Sequence, residues 1–382
     1  MSSYSQNTMN VLIAADYRTP CSGNFAASIL ELAERMREAG NTVVFLFPDN
    51  GKGGYTWSQW MERRGFSVHL MNMDLSRDEK VAVLERIVCT HNIGLIHSHF
   101  GFCHRILATC RKRLHNVKVL FHDHMDYSAE YSLQKQQFHT LLNSAIYRLH
   151  GIGVVSVMEK KHKGYRFVSP KCNWYVPNGL SLLRNVTQQV TREQLRNNLG
   201  FSDKDKICLV LGYNKYGKGL DVAIKAVALC REKDPTIHLA VIGVGCPPYE
   251  STVDWIQKMT GIATADCEWL HFLPSFEDIF TLQRSIDVFL SASRQEAFSY
   301  AVLEAISQNT PVVLSDVPGT KWACKYNKSF VYPVEDEKAC ADAIQRALNT
   351  GRIASNGGEL VTQYSMDIWC NRMIEIYQKL LK

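Results

Sequence analysis

Residues 286–316 read IDVFLSASRQEAFSYAVLEAISQNTPVVLSD. IDVFL is a short apolar run of the kind that forms a buried strand, and PVVLSD is another. Between them, SASRQEAFSYAVLEA at 291–305 reads as a tight loop running into a helix. Strand, loop, helix, strand is one βαβ unit. Its loop leaves the carboxyl end of the first strand, the edge at which open α/β sheets bind ligands. The start of the helix offers backbone N–H groups and the positive end of a dipole, a setting for phosphate. Glu296 and Glu304 flank that start, eight positions apart, where they can hold sugar or ribose hydroxyls.

Working outward, the same alternation fills the chain. VLIAAD (11–16) reads as a buried strand, AASILELAERMREAG (26–40) as a helix stopped by Gly40, and TVVFLFP (42–48) as a second strand. SVHLMNM, the helix DEKVAVLERIVCTHN, GLIHSHF, a helix, KVLFHDH, a helix, GIGVVSV and WYVPNGL continue to residue 180. A polar stretch at 181–205 follows, with Thr191 and Glu193 hinting at a helix start. Then KICLVLGY, the helix LDVAIKAVALCREKD, IHLAVIGVG and CEWLHFLP restart the pattern. Strands alternating with helices predict doubly wound parallel sheets. The domains expected are residues 1–184, residues 185–365 and a C-terminal amphipathic helix at 366–382 with Trp369, Met373, Ile376 and Tyr377 near one face.

A length of 382 residues suits two or three domains, and 46% hydrophobic with 21% charged residues is ordinary globular composition. No apolar run is long enough to span a membrane. The opening MSSYSQNTMN is polar and lacks the apolar segment of a signal peptide. Twelve scattered cysteines with no C-x-x-C pair fit reduced thiols in a cytoplasmic protein. The net charge of +6 is uneven: residues 1–180 hold 21 basic and 14 acidic side chains, the rest 22 and 23. RKRLHNVK (111–118) and EKKHKGYR (159–166) are the densest basic runs. They fit a solvated face or contact with an anionic membrane surface. No recognition motif accompanies the charge, so nucleic acid is not an expected partner.

The 291–305 segment resembles the Glu-x7-Glu signature of the family 4 retaining glycosyltransferases, nucleotide-sugar enzymes of the GT-B fold. Ser293, Glu296, Phe298 and the Glu304-Ala305 pair match it, while Ala297 and Ser299 stand where glycines are usual. LGYNKYGKGLD (211–221) resembles the family's G-R-x-x-x-x-K-G element through Gly212, Lys218 and Gly219. Tyr213 takes the arginine position. Lys215 lies near enough in sequence to supply a second cation, without an arginine's bidentate fork. Asn178-Gly179 after Pro177 matches a P-N-G element, and His122 in HDHMD matches the family's histidine.

The resemblance runs from about residue 10 to 380. It implies two doubly wound Rossmann-like domains facing an interdomain cleft, with the last helix crossing back to the first domain. It also implies transfer of a sugar, with retention, from a nucleoside-diphosphate sugar, UDP-sugar favoured, to a saccharide or lipid-linked acceptor. No metal or other cofactor is expected. Lys218, Lys215 and the N–H groups around Phe298, Ser299 and Tyr300 would meet the diphosphate. Glu296 would hold the sugar, Glu304 the ribose, and His122 the sugar from the first domain. Gly23 and Asn24 would lie beside the donor phosphate, and Leu273 beside the base. Acceptor choice would rest in first-half loops such as DNGKGGYTWSQW (49–60).

Two rival readings stay open on the sequence. Tyr213 in the arginine position fits a non-catalytic binding subunit of the same fold. His97, His99, His122 and His124, with Asp123 and Asp126, fit a metal-dependent hydrolase. The D-x-D at Asp203 and Asp205 reads as a solvated turn. A cytoplasmic enzyme of cell-surface polysaccharide or glycolipid synthesis, peripheral at the inner membrane face, is the setting that the family analogy suggests.

Overall fold

The computed structural model describes residues 8–19, 22–100, 104–124, 133–184, 190–326, 329–352 and 357–382. Asp126 lies outside them. The described residues form two compact units. One holds those up to Ser181 together with Tyr364–Lys382, and the other holds Leu182–Gln363.

The first unit is built on seven parallel strands: β1 (Asn10–Ala15), β2 (Thr42–Pro48), β3 (Ser67–Met71), β4 (Leu95–His99), β5 (Lys118–Asp123), β6 (Gly153–Ser156) and β7 (Asn173–Tyr175). Their order is β3-β2-β1-β4-β5-β6-β7. The order reverses direction between β1 and β4, which pair from Val11↔Leu95 to Ala15↔His99. β1 and β2 are apolar along most of their length because helices cover both faces of the sheet, while β4, equally buried, carries His97, Ser98 and His99. Leu12, Val44, Ile96, Val119 and Val154 meet the helices in one core. The Arg77–His91 helix opens with a capping box between Ser76 and Glu79, and left-handed Asn92 closes it.

The second unit has six parallel strands: β8 (Lys206–Leu211), β9 (Ile237–Ile242), β10 (Leu270–Leu273), β11 (Val288–Ser291), β12 (Val312–Ser315) and β13 (Phe330–Tyr332). They run in the order β10-β9-β8-β11-β12-β13, so the switch point falls between β8 and β11. Cys208, Val210, Leu239, Val288 and Val313 form the core with the Leu220–Arg231 and Glu337–Thr350 helices. Thr191 does cap the Arg192–Asn198 helix, with Gln194 as the capping-box partner.

The expected 49–60 loop is half helix. Thr56–Arg63 is helical because Trp57 and Met61, four apart, both enter the core, and the Trp57 indole N–H donates to the Thr19 carbonyl at 2.9 Å. The short β13 and the Glu337–Thr350 helix, whose apolar face holds Cys340, Ala341, Ile344 and Ala347 behind an Asp336 cap, lie in a stretch the sequence reading leaves unassigned. The Met366–Leu381 helix buries Trp369, Met373, Ile376 and Tyr377 within the first unit, packed on the Asn24–Glu38 helix. Among the described residues, no helix is long and apolar enough to cross a membrane.

Candidate active site

The turn after β8 and the loop after β11 meet at the carboxyl edge of the second sheet. Gly219 makes this approach possible: its φ is +63°, and a Cβ there would lie 2.0 Å from the Ala292 carbonyl oxygen. Arg294 ties the two segments together. Its guanidinium forks onto Asp221 at 2.9 and 2.8 Å, donates to the Tyr216 carbonyl at 2.7 Å and pairs with Glu335 at 2.6 Å. The backbone joins too, Arg294 N–H donating to the Gly217 carbonyl at 2.9 Å. Gly319 approaches the loop from the far side, where a Cβ would meet the Glu296 carbonyl oxygen at 2.0 Å.

That scaffold sets Lys218 Nζ 2.7 Å from Glu296 Oε2, with both side chains mostly buried. Burial alone lowers the lysine's pKa, but the charge of Glu296, helped by Tyr213 and by hydrogen bonds, outweighs it and raises the value. Lys218 is therefore a fixed cation. Its Nζ also lies 5.2 Å from the centre of the Tyr213 ring. Leu211, Lys218, Ser293, Ser299 and Ala301 line a narrow crevice at this point, between β8 and β11. Ser293 Oγ stands 3.5 Å from Glu296 Oε2.

The other expected residues of this unit fall around the crevice with differing commitments. Ser299 caps the Tyr300–Ser307 helix, its Oγ accepting from Val302 N–H. Phe298 turns its ring onto Trp322, 4.8 Å away and 10° from parallel, so what it can offer a ligand is backbone. Glu304 is buried, with Arg184 Nη1 at 3.4 Å, and Arg184 Nη2 donates to the Phe276 carbonyl at 3.0 Å. Leu273 ends β10 opposite Ile242 and is buried. Lys215 is not brought to the Lys218–Glu296 pair. Its Nζ donates to Thr252 Oγ1 at 3.2 Å and sits 5.9 Å from the Trp255 ring centre, so the second cation faces another helix.

In the first unit the expected ligand-facing residues are taken up by the fold itself. The Asn24 carboxamide donates to the Ser181 carbonyl and accepts from Ser181 N–H, both at 3.1 Å, and accepts from Ser28 Oγ at 3.2 Å. It staples the end of the unit's main stretch to the Asn24–Glu38 helix rather than facing a donor phosphate. Gly23 precedes that helix under the Tyr17 hydroxyl, which would be 2.4 Å from any Cβ.

His122 is interior, with no exposed surface. Its Nδ1 lies 3.2 Å from His97 Nε2, and the Trp369 ring stacks at 6.4 Å. His97 Nδ1 lies 2.6 Å from the Tyr377 hydroxyl, and His99 Nδ1 lies 2.9 Å from His124 Nε2. Burial, with smaller like-charge effects, pushes His97 down to about 3, and burial pushes His124 to about 3 as well. His99 and His122 are lowered too, by burial first and then by their histidine neighbours. One nitrogen from each of His97, His99 and His122 lies within 4.8 Å of the others. Both nitrogens of His97 are engaged, by Tyr377 and His122, whereas the buried Nε2 atoms of His99 and His122 have no hydrogen-bond partner among the described residues, so the rings form a partly hydrogen-bonded stack.

Arg294, Asp221 and Arg184 were not singled out from the sequence. Their partners lie 73 and 120 positions away, beyond any local pattern.

Residues 191–359 match the family described as Glycosyl transferases group 1. The chain is 27% identical to mannosylfructose-phosphate synthase of Agrobacterium fabrum, over 37% of this chain and 32% of that protein. It is 25% identical to phosphatidyl-myo-inositol mannosyltransferase of Mycobacterium leprae, over 53% of this chain and 52% of that protein. The chain thus spans about a third of one curated relative and half of the other. A solved structure of Anabaena HepE, in complex with UDP and glucose, superposes with a TM-score of 0.77 at 17% identity, covering 97% of this chain and 100% of that one. The similarity to the glycosyl transferases group 1 family thus lies in residues 191–359, and the two parallel sheets are the Rossmann-like domains of a GT-B fold.

Proposed function

We propose that this chain transfers a glycosyl group from a nucleoside-diphosphate sugar, UDP-sugar favoured, to an acceptor hydroxyl with retention of anomeric configuration. The observation that carries the reading is the Lys218–Glu296 pair, 2.7 Å apart, at the switch point of the second sheet. The names of the curated relatives and the UDP held by the Anabaena protein support it.

In the reaction, the bond from the anomeric carbon to the diphosphate breaks and its electron pair goes to the phosphate oxygen. The acceptor oxygen bonds to the same face of that carbon, and its proton passes to the leaving phosphate. Charge grows on the diphosphate, and a cation already in place stabilises it most. Lys218 is that cation, aided by the N–H groups at the start of the Tyr300–Ser307 helix. Glu296, released from Lys218 by the incoming phosphate, accepts hydrogen bonds from sugar hydroxyls. Glu304 meets the ribose in exchange for Arg184. No metal is required in this scheme. Ten cysteines among the described residues are unpaired as disulfides, in keeping with a reducing cytoplasmic setting.

The test is release of nucleoside diphosphate from a panel of UDP-, GDP-, ADP- and dTDP-sugars with saccharide and lipid-linked acceptors. Lys218→Ala and Glu296→Ala should each cut turnover by a factor of about 100 or more with the fold intact. A chelator should leave the rate unchanged, and NMR should show the donor's anomeric configuration in the product. Wild-type rates in both variants would remove the assigned roles. The Tyr213 substitution favours one other reading, a binding subunit, and thermal stabilisation by UDP without turnover on any donor would support that instead.

A further inference from the structure

The Leu133–His150 helix is apolar on two sides. Ser144 and Tyr147 are buried, Tyr147 in the core of the first unit. On the outer side Phe138, Leu142 and Leu149 are 64%, 48% and 78% exposed, with Leu141 beside them. At helical spacing, positions 138, 142, 145 and 149 form one continuous stripe. A helix on the surface of a globular protein ordinarily turns polar residues to that side. Phe167 is also exposed, and its N–H donates to Ser144 Oγ, on the buried side of this helix, at 2.7 Å. The apolar side chains of the helix stripe are thus gathered in one patch rather than scattered, and such patches mark interaction sites.

The charge around the patch is mostly positive. No carboxylate occurs between Glu130 and Glu159, and residues 86–166 contain 12 Lys and Arg against 4 Asp and Glu. Lys135 and Arg148 are exposed on the helix itself, and Arg166 is exposed next to Phe167. Lys112 is exposed on the adjoining His104–Arg113 helix. It is near enough to His150 that, after burial, its charge contributes to lowering that imidazole's pKa.

We infer that the stripe of Phe138, Leu142 and Leu149 docks this chain onto an anionic bilayer surface. The pattern is that of an interfacial helix, in which apolar side chains enter the boundary of the acyl region and flanking cations meet the headgroups. Arg148 and Arg166, beside Leu149 and Phe167, can reach the headgroup layer with their long side chains while the rings and leucines insert. The charge complementarity selects an anionic lipid surface over a neutral one. An exposed ridge with cations around it suits a planar surface better than a closed peptide groove.

The experiment is flotation of the whole chain with vesicles of phosphatidylcholine and phosphatidylglycerol in equal parts, against vesicles of phosphatidylcholine alone, and needs no catalysis. Binding should be confined to the anionic vesicles and fall with salt. Arg148→Glu with Arg166→Glu should weaken it about tenfold or more. The combined Phe138→Ser, Leu142→Ser and Leu149→Ser variant should abolish it, with an unchanged thermal unfolding curve. The single Leu149→Ser change, at the most exposed position, repeats the test if the triple variant folds poorly. Equal binding to both vesicle types, or binding untouched by the serine variants, overturns the inference. So does a wild-type dimer in analytical ultracentrifugation that the serine variants convert to monomer, because the face would then join two copies of this chain.

Discussion

At Gly219 the chain turns through a left-handed conformation that brings its Cα against the Ala292 carbonyl, and this contact fixes where Lys218 points. A methyl group at that position meets two penalties, backbone strain and collision with a peptide oxygen. Gly219→Ala is expected to cost on the order of 2–4 kcal/mol, read as a lower urea midpoint at unchanged slope. An unchanged midpoint would show that the turn relaxes freely and does not position the lysine. The sequence showed this residue as the glycine of a lysine-glycine pair, and it showed Lys218, Glu296 and Glu304 by spacing. It did not show how each is held. The Arg294 fork on Asp221 and the Arg184 contact with Glu304 join residues far apart in the chain. Lys215 and Asn24 were read by proximity to a motif, but a long flexible side chain and a carboxamide bond to whichever partners the fold supplies, here Thr252 and Ser181.

The strands were the most legible elements, since β1, β2, β8, β9, β11 and β12 are largely apolar runs buried on both faces. The Met366–Leu381 helix was legible as an element through its apolar face. What that face does emerges from its contacts: Tyr377 reaches His97, Trp369 covers His122, and a Cβ on Gly179 would meet Trp369 at 2.7 Å. The helix also pairs Arg35 with Asp367. It is thus a wall of the first unit, and its aromatic side chains complete the histidine stack. Trp369→Ala should lower stability by about 3–5 kcal/mol, the cost of emptying a large buried site, measured by chemical unfolding. A loss below about 1 kcal/mol would mean that the indole packs loosely and the helix is dispensable. The histidine that a motif reading turns toward a ligand is covered by this element, which no local pattern around residue 122 foretells.

Across the whole molecule, the four stacked histidines make stability depend on pH. In the unfolded chain they take up protons below about 6.5. In the folded chain burial keeps them neutral, His97 and His124 down to about 3. Between those pH values the unfolded state binds more protons, so stability falls as pH falls. Their contribution is complete above about pH 6.5 and erodes by up to about 1.4 kcal/mol per pH unit for each histidine. Calorimetry from pH 7.5 to 5 should show a steadily falling Tm, with a shallower slope in His124→Gln; a flat profile would contradict neutral burial. The path of the chain adds a consequence for biogenesis. Strands β1 to β7 leave the ribosome before residues 182–363, and Trp369 and Tyr377 emerge only after that stretch has been translated. The unit that is synthesised first is finished last, and until then its imidazoles lack their aromatic cover and remain open to solvent or to a chaperone.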